Sequence, residues 1–406
     1  MLRSLVGSEM CIRDSPYAEQ LIKEGKAYRC FCSKERLEKI QNETVGGGYD
    51  RHCRDLPQEE IDRLLAEGVP YVIRQKMPIE GSTSFTDAVF GEITVENTEL
   101  QDQILIKTDG YPTYNFANVI DDHTMGITHV VRGCEYLSST PKYNLLYEAF
   151  GWEIPTYIHL PLIMGKDADG NVSKLSKRHG ATGFYDLIDE GYLPEAIINY
   201  IALLGWCPKD NQEIFTLKEL EKAFDISGIS KSPAVFDYDK LSWFNGEYIK
   251  AMTPEKFTEV AMPYYKKVFG DKQMPYEKFA AILQKRTTQL TQIPEMLDFF
   301  AELPSYTKEL FVNKKSKTNL ENSPVVLKEA YDRLKAMPEW NETSIHDCLI
   351  NMAVEKELKN GTVMWPVRIA AAGKTVTPGG AVEILDILGR DESLARLEKG
   401  MAILAE

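Results

Sequence analysis

The sequence predicts an α/β half followed by a largely α-helical half, joined by a mixed segment. Three observations support that division. Up to about residue 205, short apolar runs such as GITHVVRG and HLPLIM alternate with helical patterns of 10 to 15 residues. After about residue 250 the pattern is helical, with a cap residue followed by proline at Thr253-Pro254, Ser323-Pro324 and Thr377-Pro378. No fixed period repeats along the 406 residues, and that length implies more than one core.

Taken in order, residues 16 to 27 read as a short amphipathic helix that begins at Pro16 and ends at Gly25. A cysteine pair follows, then a charged helix from about 33 to 41 and the glycine-rich loop GGGYDRHCRDL. LPQEEIDRLLAEG is another helix, after which PYVIRQKM and GEITVENTEL are strand-like. DQILIKTDGYPTYNFANVIDD and GITHVVRG read as apolar strands punctuated by turns. The next helix starts at SSTPKYNLLYEAFG, with Thr140 placed to cap it, Pro141 at its first position and Gly151 closing it. HLPLIM is a short buried strand, LPEAIINYIALLGW a core helix, and TLKELEKAF carries a capping box of Thr216 and Glu219.

The bulk numbers exclude several classes. No run of 18 or more apolar residues occurs, so no membrane span is expected. The formal net charge of -14 argues against a general nucleic-acid coat but leaves room for a local basic groove. The seven cysteines form no secretory disulfide framework, and the start lacks a signal-peptide pattern. The first fifteen residues, MLRSLVGSEMCIRDS, show neither helical nor strand period and run straight into what reads as mid-protein helix.

Two clusters carry chemistry. Cys30 and Cys32 stand one residue apart and Cys53 returns after the glycine-rich loop. Three thiolates suit a soft tetrahedral ion such as zinc, with Tyr49, His52 or Asp55 as the fourth ligand. Such a site would be structural, holding a small lobe with little core of its own. The second cluster is NVSKLSKRHG, where Lys174, Lys177 and Arg178 surround Ser176. Two lysines three apart with an arginine form a multi-donor grip for phosphate oxygens and for charge moving onto a leaving pyrophosphate. A solvated basic surface is the plainer alternative. The loop follows a strand, where open α/β sheets place ligands, and no GxxxxGK[ST] nest occurs in the chain.

KLSKRHG resembles the second signature of class I aminoacyl-tRNA synthetases, in the form used by the glutamyl-tRNA synthetases. YRCFC, DGYPTYNFANVIDDHTMGITHVVRG, STPKYNLLYEAFGW, LPLIMGKDADGNVSKLSKRHG and YLPEAIINYIALLGW resemble the same family in the same order. VFDYDKLSWFNGEYI and TPGGAVEILDILG are similar to its stem-contact and anticodon-binding regions, so the resemblance runs from about residue 16 to the end.

That resemblance implies a partial class I Rossmann-type catalytic domain with a small zinc-binding insertion, followed by α-helical stem-contact and anticodon-binding domains. Laid onto this chain, it implies an acceptor-binding and connective insertion with the zinc lobe at 16–95 and the second half of the catalytic domain at 96–205. The stem-contact region would be 206–250 and the anticodon-binding domain 251–406. The implied activity is ATP-dependent attachment of L-glutamate to tRNA(Glu) through glutamyl-adenylate, in a cytoplasmic monomer that uses Mg2+ with ATP and a structural Zn2+. Lys174 and Lys177 would be catalytic. With Glu135, Ser176 and Arg178 they would bind ATP, while Tyr114, Asn118 and Arg132 would hold glutamate. A guanidinium fork also suits a carboxylate on chemical grounds. Members with a Cys-x-Cys pair followed by Tyr-x-x-x-Cys bind zinc, which selects Cys30, Cys32, Tyr49 and Cys53. Lys314, Lys315, Lys317, Arg368 and Lys374 are candidates for tRNA contact.

The chain departs from the family in one respect. None of its six histidines (His52, His123, His129, His159, His179 and His346) lies in a His-x-Gly-His-like setting, the family's first signature. Residues 1–15 are therefore expected to be an unrelated leader and the chain an N-terminally truncated form with little activity of its own, whose full-length parent is active. The alternatives are a noncatalytic tRNA binder, or a related glutamylating or glutaminyl enzyme. A small-molecule nucleotidyl-transfer enzyme, indifferent to tRNA, is the remaining one.

Overall fold

The structure, a computed structural model, describes residues 8–43, 48–167, 169–176, 179–180 and 183–406. The chain divides into two compact units. One comprises Met1–Met164, Leu204–Gln212 and Lys222–Val235; the other comprises Gly165–Leu203, Glu213–Glu221 and Phe236–Glu406.

In the first unit, helix α1 spans Ser8–Lys23. It runs through Pro16 instead of starting there, which corrects the expectation that no periodic structure precedes that residue. The buried face of this helix is Asp14, Ala18 and Leu21, a helical spacing. A charged residue at the first of these positions hides the apolar period from the sequence. Arg13 bonds Asp14 at 2.7 Å and Asp121 at 2.5 Å, anchoring this end.

Strand β1 is Ala27–Cys30, followed by helices α2 at Lys34–Glu43 and α3 at Gln58–Ala66. Strand β2 is Val72–Gln75 and β3 is Ser82–Asp87. Strand β4 is Gly91–Glu96 and β5 is Ile104–Ile106. Strand β3 was not expected, because STSFTD looks polar. Its alternate residues Thr83, Phe85 and Asp87 are the buried ones, with Thr83 satisfied by Asn97 at 2.6 Å. Helix α4 spans Tyr114–Thr124, where strand and turn were expected. Its buried Phe116, Ala117, Val119 and Ile120 follow the helical period. Strand β6 is His129–Gly133, helix α5 is Thr140–Phe150 and strand β7 is Thr156–Leu160.

Strands β1, β2 and β5 form an antiparallel sheet. A four-stranded mixed sheet runs β4-β3-β7-β6, with β7 parallel to both neighbours. Leu21, Ile73, Leu105, Phe116, Ile120 and Leu146 close a core over the first sheet. The expected single strand at HLPLIM is broken at Pro161 into β7 and β8, the latter Ile163–Lys166.

The second unit holds the short strand β9 at Val172–Lys174. Helix α6 is Phe184–Asp189, α7 is Pro194–Leu203 and α8 is Leu217–Ala223. The expected capping box is present, Thr216 accepting from the Glu219 N–H at 3.3 Å and Glu219 from the Thr216 N–H at 2.7 Å. Strand β10, Ala234–Val235, belongs to the first unit and pairs there in parallel with Ile163 and Met164 of β8.

From residue 238 the described chain is helical. Helix α9 spans Tyr238–Ala251, α10 Pro254–Phe269, α11 Tyr276–Leu283 and α12 Ile293–Ala301. Then come α13 at Asn322–Ala336, α14 at Glu342–Glu355 and α15 at Asn360–Ala372. Helix α16 is Ala381–Leu388 and α17 is Arg390–Ala405. Phe257, Phe279, Leu297, Leu327, Leu349, Val367 and Leu385 fill their common core.

Of the three expected caps, Thr253 caps α10 as predicted, accepting from the Lys256 N–H at 3.3 Å. Ser323 instead lies inside α13, and Thr377 donates to the Gly379 carbonyl in a turn before α16. Within α17, Arg396 is buried. Its Nη1 donates to the carbonyls of Phe299 at 2.7 Å and Ala371 at 2.9 Å, near the C-terminal ends of α12 and α15. A cation there meets the negative ends of two helices.

Candidate active site and cysteine cluster

The C-terminal end of β6 and the start of α5 place Arg132 in a ring of aromatic side chains. Its guanidinium lies over Tyr136 at 5.1 Å, Tyr143 at 4.6 Å and Tyr157 at 5.4 Å. Two hydrogen bonds fix its orientation: Nε–H donates to His159 Nε2 at 3.3 Å and Nη2–H to Thr140 Oγ1 at 3.0 Å. Thr140 donates in turn to the Tyr136 carbonyl at 2.9 Å. Thr140 is thus the first residue of α5 and bonds Arg132, where the sequence suggested a helix cap.

His159 is fully buried on β7, and its Nδ1–H donates to Asp87 Oδ2 at 2.7 Å. The same oxygen accepts the His159 backbone N–H at 3.1 Å, while Oδ1 accepts from Val89 at 2.9 Å and Phe90 at 2.8 Å. Burial lowers the His159 pKa below its ordinary value, outweighing the Asp87 carboxylate, so the ring is neutral at pH 7. Asp87, Thr140 and His159 were missed as site residues by sequence reading.

The other predicted glutamate residues lie on α4. Tyr114 opens the helix, 60% exposed, with its ring 6.0 Å from Tyr136. Asn118 follows one turn later, and its Oδ1 is buried with no hydrogen-bond partner among the described residues. Burial raises the pKa of Asp122, a further turn along. Glu135 lies in the 3-10 turn Cys134–Tyr136 and folds back over Gly133, where a side chain would collide with its carboxylate. Arg132, Tyr114 and Tyr136 are therefore brought together in one unit.

In the second unit, Lys174 ends β9 and is exposed, as is Ser176. Lys177 and Arg178 lie outside the described residues. The turn before β9 is held by Asp167, whose Oδ1 accepts the N–H groups of Asp169 at 3.0 Å and Asn171 at 2.8 Å. His179 Nδ1 accepts the Ser176 N–H at 3.1 Å, and Nε2 lies 3.2 Å from Ser173 Oγ. Its ring rests on Gly165, where an added Cβ would come within 2.5 Å of the imidazole. The sequence motif contained His179 but suggested no role for it.

In the cysteine cluster, the three sulfurs of Cys30, Cys32 and Cys53 lie within 4.8 Å of one another. Cys32 and Cys53 are 3.5 Å apart, and the Tyr49 hydroxyl lies 3.2 Å from Cys30 and 3.9 Å from Cys32. A tetrahedral ion bound at about 2.3 Å requires ligand edges of about 3.8 Å. The four atoms therefore fit such an ion. A hydrogen bond from Cys53 pulls the Cys30 pKa down and holds that of Cys53 up. Asp102 braces the lobe from beneath. Fully buried, it accepts from Tyr28 at 2.7 Å, Arg54 at 2.9 Å and the Met77 N–H at 3.1 Å.

Among the candidate tRNA contacts, Lys314, Lys315 and Lys317 lie exposed in a turn. Arg368 packs over Trp365 at 4.6 Å, and Lys374 bonds Asp298 at 2.6 Å and the Glu295 carbonyl at 3.1 Å.

Comparison with known proteins agrees with this arrangement. The family described as "tRNA synthetases class I (E and Q), catalytic domain" matches residues 7–243, and "Anticodon binding domain" matches 256–401. The first match reaches into the segment expected to be unrelated. A glutamate–tRNA ligase of Clostridium kluyveri is 55% identical over 389 residues, 95% of this chain and 79% of that protein. One from Clostridium novyi is 52% identical over 96% of this chain and 80% of its own length. The crystal structure of a glutamate tRNA ligase from Elizabethkingia meningosepticum, in complex with its amino acid, superposes with a TM-score of 0.86 at 33% identity. It covers 98% of this chain and 83% of that one. The glutamate-tRNA synthetase of Elizabethkingia anophelis gives 0.84 at 32%, over 97% and 83%. The chain is thus built as a class I tRNA synthetase, a catalytic domain with mixed sheets followed by a helical anticodon domain. Within that class it belongs to the glutamate–tRNA ligases. No described helix is long and apolar enough to cross a membrane.

Proposed function

We propose that the Arg132 cleft receives the side-chain carboxylate of L-glutamate, leaving the α-carboxylate free to react with ATP. The observation that carries this reading is the fixed guanidinium. Two of its N–H groups are committed to His159 and Thr140, and its terminal edge meets no acceptor among the described residues. Glutamine would turn a neutral amide to that edge and lose a charge-assisted bond. Tyr114 borders the same cleft, and the Asn118 carbonyl suits an ammonium donor.

The reaction joins glutamate to tRNA in two displacements. The α-carboxylate attacks the α-phosphorus of ATP, forming a carboxyl–phosphate anhydride and releasing pyrophosphate. The terminal ribose hydroxyl of tRNA(Glu) then attacks the activated carbonyl and releases AMP. We assign Glu135 to the adenosine, and Lys174, Ser176, Lys177 and Arg178 to the phosphates, where ammonium groups follow the charge onto pyrophosphate. Mg2+ accompanies ATP as its counter-ion.

Cys30, Cys32, Cys53 and Tyr49 would hold Zn2+ as a structural ion that fixes the lobe formed by residues 30–53. Residues 16–95 would be the acceptor-binding and connective insertion that carries this lobe, 96–205 the second half of the Rossmann-type catalytic domain, 206–250 the stem-contact region and 251–406 the anticodon reader. The molecule acts as a cytoplasmic monomer in this reading.

The test is tRNA charging with labelled glutamate and, in parallel, labelled glutamine. Charging with glutamate alone, at the low rate expected of this chain, and its loss in Arg132→Lys, is the expected outcome. Equal charging with glutamine, or an unaffected variant, would overturn the assignment.

A further inference from the structure

We infer that Asp87 and His159 are positioning residues for the guanidinium of Arg132 that receives the substrate, forming with it a chain that runs across three strands of the mixed sheet. The inference rests on the reading of Arg132 as the receptor for the glutamate side chain.

The geometry points one way along the chain. Asp87 Oδ1 is taken up by the Val89 and Phe90 N–H groups, and Oδ2 faces His159. An acceptor on that side holds the imidazole proton on Nδ1, leaving a lone pair on Nε2. That lone pair is what the Arg132 Nε–H meets at 3.3 Å. A ring with the opposite tautomer would present N–H to N–H and turn the guanidinium away. Thr140 Oγ1 takes the Nη2–H beside it, and its own proton goes to the Tyr136 carbonyl. Arginine has four side-chain torsions, so two acceptors side by side, 3.4 Å apart on the Nε/Nη2 edge, are needed to stop rotation about the last ones. What remains pointing outward is the Nη1 group and one Nη2–H, the paired donors that match a carboxylate.

A His–Asp pair that served only to fill the sheet interior would have no need of a proton on a particular nitrogen. The strand positions make the chain possible. Asp87 pairs with Tyr157 across β3 and β7, and His159 pairs with Arg132 across β7 and β6. All three side chains therefore reach one another through fixed register, with no loop intervening. A site built on strands in this way holds its angle more closely than one built on loops.

The test measures L-glutamate dissociation constants by calorimetry for the wild-type chain, Arg132→Lys, His159→Asn and the double variant, each checked by thermal melting. Asparagine keeps the bond to Asp87 and loses the acceptor for Arg132. His159→Asn should weaken glutamate by about tenfold and Arg132→Lys by about a hundredfold. The double variant should be no weaker than Arg132→Lys, because both act through one contact. Weak binding by Arg132→Lys with His159→Asn unchanged, or effects that multiply, would overturn the positioning role alone. Arg132→Lys equal to wild type, or a wild type that binds no glutamate, would overturn the receptor reading beneath it. Nitrogen NMR of histidine-labelled wild-type chain needs no variant to fold. It should place the His159 proton on Nδ1, and a proton on Nε2 would overturn the chain directly.

Discussion

Replacing Asp102 by asparagine should destabilise the first unit more than any single change at its surface. The carboxylate is completely buried and gathers four contacts: Tyr28 Oη, Arg54 Nη1, the Met77 N–H and, at 3.6 Å, Arg51. Asparagine has the same shape but one accepting oxygen, so its amide must face a donor whichever way it turns. Arg54 is left as a nearly buried cation without its partner, which costs about 3–5 kcal/mol where such pairs have been broken. Retention of one acceptor puts the expected loss at the lower end, about 3 kcal/mol. For a unit of this size each kcal/mol lowers the melting point by about 2–4 °C, so a fall of about 6–12 °C is expected. The effect should extend to the cysteine lobe, because Tyr28 lies two residues before Cys30 and Arg54 follows Cys53. Calorimetric melting with and without a chelator would measure both. A fall of less than about 2 °C would show that water or repacking compensates the carboxylate, and the bracing role would be wrong.

Three further outcomes follow from the geometry. Cys32→Ser should release bound zinc to a chromogenic chelator at least tenfold faster than wild type, and Tyr49→Phe less so; unchanged release from Cys32→Ser would exclude that sulfur as a ligand. His159 faces Asp87 on β3, Arg132 on β6, Glu135 in the turn beyond it and Thr140 on α5, and its folded pKa is lowered by burial. Its contribution to stability is therefore complete above about pH 6.5, the unfolded value, and is lost as pH falls through the folded one. Glutamate affinity should fall over the same acid range as the ring gains a proton on Nε2, and a profile that stays flat until the fold itself is lost would refute this. Gly165→Ala should displace the His179 ring and slow charging while leaving glutamate affinity within about twofold; a normal charging rate would mean that the loop does not depend on that contact.

The order of elements was legible wherever apolar spacing dominated, as in α5, β6 and α7. It failed where polar residues faced inward. Asp14 on the buried side of α1, and Thr83 and Asp87 on the buried side of β3, make apolar patterns look polar: Asp14 pairs with its neighbour Arg13, while Thr83 and Asp87 meet Asn97 and His159, which the sequence does not bring near them. Helix α4 was misread because PTYNFANVI begins with residues that suit a strand, and only its burial reveals the period. The site was half legible. Arg132, Tyr114 and the cysteines follow from motif resemblance, and the structure gathers them. The residues behind Arg132 were invisible, since Asp87, Thr140 and His159 lie on three separate elements and meet through sheet register. One signal did exist: His159 sits in the interior of an apolar strand, where an imidazole needs partners on both nitrogens.

Arg396 has a consequence for the groove lined by Gln292, Glu295, Met296, Gly373, Lys374 and Thr375. Its two carbonyl bonds tie the ends of α12 and α15 together from inside the bundle, and Lys374 ties the same two elements together from the outside. The walls of the groove are thus cross-linked at two depths by cations. Widening it would therefore require breaking the carbonyl bonds of a buried cation as well as the outer ion pair of Lys374 with Asp298.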